Sequence, residues 1–188
     1  MLDLERFIED CYAALDEKTP ERAAQEVVAR AVEDPAAVMK VIGEPQKAGV
    51  NTLHRSDRLT VLNLVWGPEM HLMPHNHNMW ASIGIYTGAE QNTFWRRTPD
   101  GGLQQLGAKE MGEKEAVWLG ETAIHSVTNP LTKLTGALHV YGGDFFAPGR
   151  SEWDDETLKE GPYDSEKLVR LFEESNTRLE ELKAAGAL

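Results

Sequence analysis

Two imidazoles one residue apart, His75-Asn76-His77, and a third at His125, fifty residues beyond His75, are the side chains of this sequence best suited to chemistry. On an extended chain, residues two apart share a face, so His75 and His77 can aim at a single point; on a helix they would diverge. They stand between an expected strand ending at Trp66-Gly67 and another running from Ala81 to Tyr86. Three neutral imidazoles converging inside a β structure are a divalent-metal site before they are anything else. His75, His77 and His125 are therefore the expected metal ligands.

The elements that must position them change character along the chain. Before Asn51 the pattern is helical: Leu4, Phe7, Cys11 and Leu15 recur at helical spacing, and Thr19-Pro20 and Asp34-Pro35 each place a capping side chain before a proline at the first helical position. Three short helices are expected over residues 1–48. From 51 to 150 short β-like runs follow, Leu59 to Trp66, Ala81 to Tyr86, Asn92 to Arg97, Ala116 to Leu119 and Leu134 to Tyr141, separated by Gly67, Gly88, Gly101-Gly102, Gly112, Gly120 and Asn129-Pro130. Many short strands with glycine-rich turns and no helix between them imply an antiparallel sandwich or barrel. Over 151–188 a loop-like stretch gives way to a helix capped by Asp164, with Leu168, Leu171, Phe172 and Leu179 facing the core. The length, 188 residues with 41% hydrophobic content, suits one domain.

Composition narrows the partners. A formal charge of -12 with no basic stripe argues against nucleic acid and anionic membrane surfaces. No run reaches the length of a membrane span, and the acidic start Met1-Leu-Asp-Leu-Glu does not read as a signal peptide, so a cytoplasmic setting is expected. Cys11 is the only cysteine; it lies on an apolar helix face and reads as a small buried hydrophobe. Nothing in the sequence marks an oligomer interface.

Taken together, these residues resemble the cupin superfamily, a double-stranded β-helix (jelly-roll) barrel. Gly67, His75, His77 and Gly88 match its first motif, and Gly112, Gly120, His125 and Asn129 its second, with Trp118 in place of a proline and two extra residues before His125. Counting back from Gly88, the motif's glutamate falls on Ala81, so the resemblance implies three histidines and no carboxylate. The stretch from His75 to Glu90, with Ile124-His-Ser-Val-Thr-Asn-Pro and Leu138-His-Val-Tyr-Gly142, is similar to the cysteine dioxygenase family, most to its bacterial 3-mercaptopropionate-type branch. The resemblance spans roughly residues 51 to 150. It implies a mononuclear Fe(II) enzyme that adds both atoms of O2 to a small thiol, giving a sulfinate; three histidines also serve Zn, Ni or Cu. Three neutral ligands leave the ion its full charge, which favours an incoming thiolate.

The same resemblance assigns roles around the ions' ligands. His139 and Tyr141, two apart on an expected strand, match a Ser-His-Tyr relay whose serine is here Ala137; Tyr141 would present its hydroxyl and His139 would orient it. The cysteine that bonds such a tyrosine in the mammalian-type branch is here Ala81, so no Cys-Tyr cross-link is expected. Arg150, nine residues past Tyr141, matches the arginine that binds the substrate carboxylate in the 3-mercaptopropionate-type branch. On its own residue type it reads equally as a surface charge paired with Glu152 or Asp154. Arg55 and Arg58 have no clean match. His71 and His54 read as loop histidines. Trp95, Trp118, Phe145 and Phe146 read as barrel packing, and Trp80 is close enough to the metal motif to line the pocket. A metal-dependent cupin of other chemistry, or a ligand-binding cupin without turnover, fits the same fold.

Overall fold

The computed structural model describes residues 2–187. Helices α1 (Leu4–Leu15), α2 (Pro20–Val32) and α3 (Pro35–Ile42) come first. The Asp3 carboxylate accepts from the Arg6 amide and that of Asp34 from Ala37, while Pro20 and Pro35 occupy first-turn positions that need no N–H. Thr19 departs from expectation: its side chain makes no capping bond, and α2 is held instead by buried Ala24, Val27, Val28, Ala31 and Val32.

The strands are β1 (Gly49–Arg55), β2 (Thr60–Trp66), β3 (His71–Asn76), β4 (Ala81–Thr87), β5 (Ala89–Arg97), β6 (Leu103–Gly112), β7 (Ala116–Leu119), β8 (Ile124–Thr128), β9 (Thr135–Tyr141), β10 (Ser151–Trp153) and β11 (Glu160–Pro162). They form two antiparallel sheets, ordered β1-β2-β9-β4-β7 and β11-β10-β3-β8-β5-β6. Within them β2 to β9 give the orders β2-β9-β4-β7 and β3-β8-β5-β6, the interleaving of a jelly roll, so the fold is a mostly β cupin-type double-stranded β-helix with N-terminal helices and a C-terminal helix. The five anticipated strands are present. The runs at β1, β3, β6 and β8 were not expected as strands, and β10 and β11 occupy a stretch expected to be loop.

Two apolar layers hold the fold. Leu62, Leu64, Trp66, Ile83, Ile85, Met111 and Val127 fill the space between the sheets. Phe7, Cys11, Val28, Val61, Tyr86, Leu138 and Val140 form a second layer between the first sheet and the helices. The helices lie close: a Cβ on Gly84 of β4 would stand 2.4 Å from a Val28 methyl of α2. Cys11 is fully buried, which pushes its thiol up to about 12 and leaves it an apolar filler. Helix α4 (Ser165–Ala184) starts at Asp164, whose carboxylate accepts from the amides of Glu166 and Lys167. It buries Phe172 and Leu179 and stacks Phe172 on Trp66, centroids 6.0 Å apart. Among the described residues no helix is long and apolar enough to cross a membrane.

Candidate metal centre

The second sheet brings two of the three histidines face to face. His75 on β3 and His125 on β8 are direct cross-strand partners, and a register shift between Leu72 and His75 marks an irregularity just before the pair. His77 follows the end of β3 and keeps the same side. All three rings are buried, with Nε2 of His77 3.2 Å from that of His75 and 3.4 Å from that of His125. Among the described residues this trio is the cluster whose donor atoms could share one ion, and it includes no carboxylate.

Proton positions on two of the rings follow from their partners. Nδ1 of His75 faces the Met73 carbonyl at 2.9 Å, so it must donate, and Nε2 carries a lone pair. Nδ1 of His125 faces Oδ1 of Asn92 at 2.7 Å. The Asn92 amide in turn gives an N–H to Glu90 Oε1 at 2.8 Å, which fixes the orientation of its carbonyl. His125 therefore donates through Nδ1 and also turns a lone pair inward. Both contacts of 3.2–3.4 Å run through Nε2 of His77; with the His77 proton on Nδ1, the three nitrogens match the spacing of about 2.9–3.4 Å between nitrogens each held about 2.0–2.1 Å from one ion. The space beside them is about 20 Å³, room for one water-sized particle. Donor type, spacing and the tautomers of His75 and His125 fit a divalent cation.

Burial also keeps the rings uncharged. It lowers His75 to about 4, and it holds His77 and His125 well below the ordinary imidazole value, aided by the mutual repulsion of the rings.

The first sheet closes the site from the other side. His139 and Tyr141 share a face of β9, and the tyrosine hydroxyl lies 3.0 Å from His139 Nδ1. The Tyr141 ring meets His77 edge-on at 5.0 Å. Burial pushes the phenol well above its usual range, so it stays a neutral hydroxyl, and drives His139 down to about 3. Ala81 is the cross-strand partner of Tyr141, and Cys11 is packed in the helical layer.

Arg150 is brought in by the residue between the two histidines. Asn76 points away from its neighbours and accepts the Ser151 amide at 2.8 Å, while the Arg150 carbonyl accepts from the Tyr163 amide at 3.0 Å. The guanidinium is sandwiched between the rings of Phe145 and Tyr163, 4.2 and 4.1 Å from their centroids. Both rings also line the histidine hollow, with Val50, Leu64 and Leu168. Nη1 of Arg150 is buried and has no hydrogen-bond partner in the protein. Pairing with Glu152 does not occur: that carboxylate takes Lys167 at 3.0 Å. Arg55 and Arg58 are engaged elsewhere, with Asp144 and Asp16.

Trp80 does not line this hollow. It packs in the helical layer and lies over Gly142, where a Cβ would come within 2.2 Å of the indole. His54 bonds the Tyr12 hydroxyl at 2.8 Å, and exposed His71 bonds Thr128 and Asp155. His71 opens β3 and His54 lies on β1, so neither is a loop residue. Asn129 braces the barrel corner through the carbonyls of Gly67 and Lys133. Three residues of the site had no signal strong enough to single them out: Glu90, Asn92 and Tyr163. The alternation of Glu90 and Asn92 on a strand was available, yet two polar residues at that spacing ordinarily mark a solvent face.

No family model matches the chain. Among solved structures, an uncharacterised double-stranded β-helix protein from Klebsiella pneumoniae subsp. pneumoniae is similar at 9% identity over 58% of this chain and 81% of that one, TM-score 0.45. An RmlC-like cupin family protein from Methanocaldococcus jannaschii is similar at 11% identity over 54% and 85%, TM-score 0.44. A mutant of Bacillus subtilis oxalate decarboxylase is similar at 17% identity over 58% of this chain and 29% of that one, TM-score 0.42. Likenesses this distant concern the path of the backbone, and the chemistry of the site rests on its own atoms.

Proposed function

We propose that this protein is a mononuclear non-haem iron thiol dioxygenase, converting a small carboxylated thiol such as cysteine or 3-mercaptopropionate, with O2, into the sulfinate. The observation that carries the reading is a cluster of three histidines without a carboxylate beside a buried, unpartnered Arg150 nitrogen, whose guanidinium is held by Phe145 and Tyr163, two rings that also line the histidine hollow. His75, His77 and His125 would hold the ion. When bound, Fe(II) supplies neighbouring positions for a thiolate and O2 and the electron exchange by which both oxygen atoms reach sulfur. The stoichiometry closes without a reductant: thiol and O2 give sulfinic acid, sulfur supplying the electrons that both oxygens take up.

The protein's own residues do the rest. Arg150, held flat between Phe145 and Tyr163, offers Nη1 to the substrate carboxylate, and a charge-assisted bond there fixes one end of a short molecule whose sulfur is at the other. Two-point attachment makes the reacting atoms neighbours before reaction begins. The Tyr141 hydroxyl, bonded to His139 Nδ1, can hold a proton beside the sulfur or donate to an oxygen. Phe145, Tyr163, Val50 and Leu168 exclude water and lower the local dielectric, which strengthens the Arg150 contact.

The test is oxygen uptake by Fe(II)-loaded protein given cysteine, 3-mercaptopropionate and the uncarboxylated cysteamine. Thiol-dependent uptake with a sulfinate product is expected, strongest for a carboxylated thiol. Absence of thiol-dependent uptake across the panel would dismiss the assignment.

A further inference from the structure

Glu90 is fully buried on β5, with no lysine or arginine paired to it and the imidazole of His139, held neutral by burial, 3.9 Å from its Oε2; the proposed reaction gives it no task. Its two oxygens are both spoken for by donors: Oε2 takes the Trp66 indole N–H at 2.6 Å and Oε1 takes the Asn92 amide N–H at 2.8 Å. The far end of Asn92 receives the Nδ1 proton of His125 at 2.7 Å. Trp66, Glu90, Asn92 and His125 thus form one directional chain in which each donor and acceptor is forced by the next. The indole cannot reverse, since it has a donor only; the carboxylate accepts at both ends; the amide must then turn its carbonyl to the imidazole.

We propose that Glu90 is a positioning residue of the centre: acting through Asn92, its carboxylate sets the tautomer of His125 that leaves Nε2 free to bind a metal ion. This role presupposes the three-histidine centre proposed above. The reason lies in what a neutral replacement would do. In Glu90→Gln one oxygen becomes an NH2 group, which cannot face the indole N–H and so must face Asn92. Asn92 then turns its carbonyl toward that NH2 and its own NH2 toward His125. Nδ1 must now accept, the ring proton moves to Nε2, and the lone pair meant for the metal is lost.

The same logic names its own rescue. Exchanging acid and amide, Glu90→Gln together with Asn92→Asp, lets the indole donate to the amide oxygen, the amide NH2 donate to the new carboxylate, and His125 donate to that carboxylate through Nδ1. Every bond in the chain is restored with the net charge unchanged. Loss of mere packing would not be repaired this way, because both side chains keep nearly their original volumes in the single variants.

The experiment reads the His125 tautomer directly, by long-range proton–nitrogen correlation on the full chain with nitrogen-15 histidine, the His125 signal being assigned by its loss in His125→Gln. Wild type should show the Nδ1–H form, Glu90→Gln the Nε2–H form, and the double variant the Nδ1–H form again. Zn(II) affinity by calorimetry should fall about ten- to a hundredfold in the single variant and return to wild-type level or above in the double. A His125 that carries Nε2–H in the wild type, keeps Nδ1–H in Glu90→Gln, or is not restored by the exchange overturns the role. If Glu90→Gln fails to fold, the double variant alone decides: folded with the Nδ1–H form it supports the role, unfolded it refutes it. Tautomers that follow this order in a protein taking up no metal would uphold the positioning role while removing the proposed function. Unchanged Zn(II) affinity in a Glu90→Gln protein whose wild type binds would do the reverse.

Discussion

Ala81 lies directly opposite Tyr141 in the ladder of β4 and β9, so the side chain paired with the tyrosine on β4 is a methyl group. The tyrosine can form no thioether there, and Cys11 is sealed in the helical layer. The intact mass of protein incubated with Fe(II), thiol and air should therefore show no loss of hydrogen. Tyr141→Phe removes only the hydroxyl bonded to His139, and kcat/KM for thiol oxidation should drop by about ten- to a hundredfold, the scale of one or two hydrogen bonds to charged groups. Wild-type turnover in that variant would remove the hydroxyl from the chemistry.

Arg150 divides substrate binding from structure. Charge-assisted bonds of this kind contribute about 1.5–3 kcal/mol, and ~1.4 kcal/mol is tenfold, so Arg150→Ala should raise KM for a carboxylated thiol by about one to two orders of magnitude. Cysteamine should be nearly indifferent. Arg150→Lys should rescue poorly, because an ammonium cannot lie flat between Phe145 and Tyr163. Equal losses for both thiols would make the arginine a structural plug.

Much of this arrangement is legible in the sequence, and the gaps have physical causes. The run Ala116 to Leu119 is read to the residue, and β2, β4 and β9 within one residue at each end, because β-branched and aromatic residues concentrate there. Strand β6 escapes because Gln104 to Glu110 is exposed on both faces and carries no apolar alternation. Strand β3 hides behind Pro74 and its polar residues, which the site needs and a strand does not advertise. His75 and His77 stand out through their period-two spacing, and His125 through its place in the second motif. Arg150 depends on the Ser151 amide bonding the Asn76 side chain and on its own carbonyl accepting from Tyr163, and the Trp66–Glu90–Asn92–His125 chain on three strands meeting, neither of which a linear pattern encodes.

The trio of histidines makes metal a stability ligand. Zn(II) at about a hundred times its Kd should add about 2.7 kcal/mol, and for a chain of this size Tm should rise by roughly 5–10 °C. His75→Ala, His77→Ala and His125→Ala should each abolish the shift and stoichiometric uptake. Full occupancy retained by His125→Ala would break the assignment of ligands.

Acid should destabilise the metal-free protein well before its carboxylates titrate. Burial lowers His75 to about 4 and His139 to about 3, with His77 and His125 also well down, whereas the same rings titrate near about 6.5 in an unfolded chain. Between those values the unfolded state binds protons that the folded state refuses, so stability rises with pH across the window. The contribution of the neutral rings is complete above about pH 6.5 and is lost progressively as pH falls toward 4 and 3. Glu90, raised by burial, acts with the opposite slope above its unfolded value, but four imidazoles outweigh one carboxylate. The midpoint of urea unfolding should thus decline steadily from about pH 7 to about pH 4, and His139→Gln should flatten part of that decline. A midpoint constant over the interval would mean that the rings already take up protons in the folded state, and that the pocket around His75, His77, His125 and His139 is open to water.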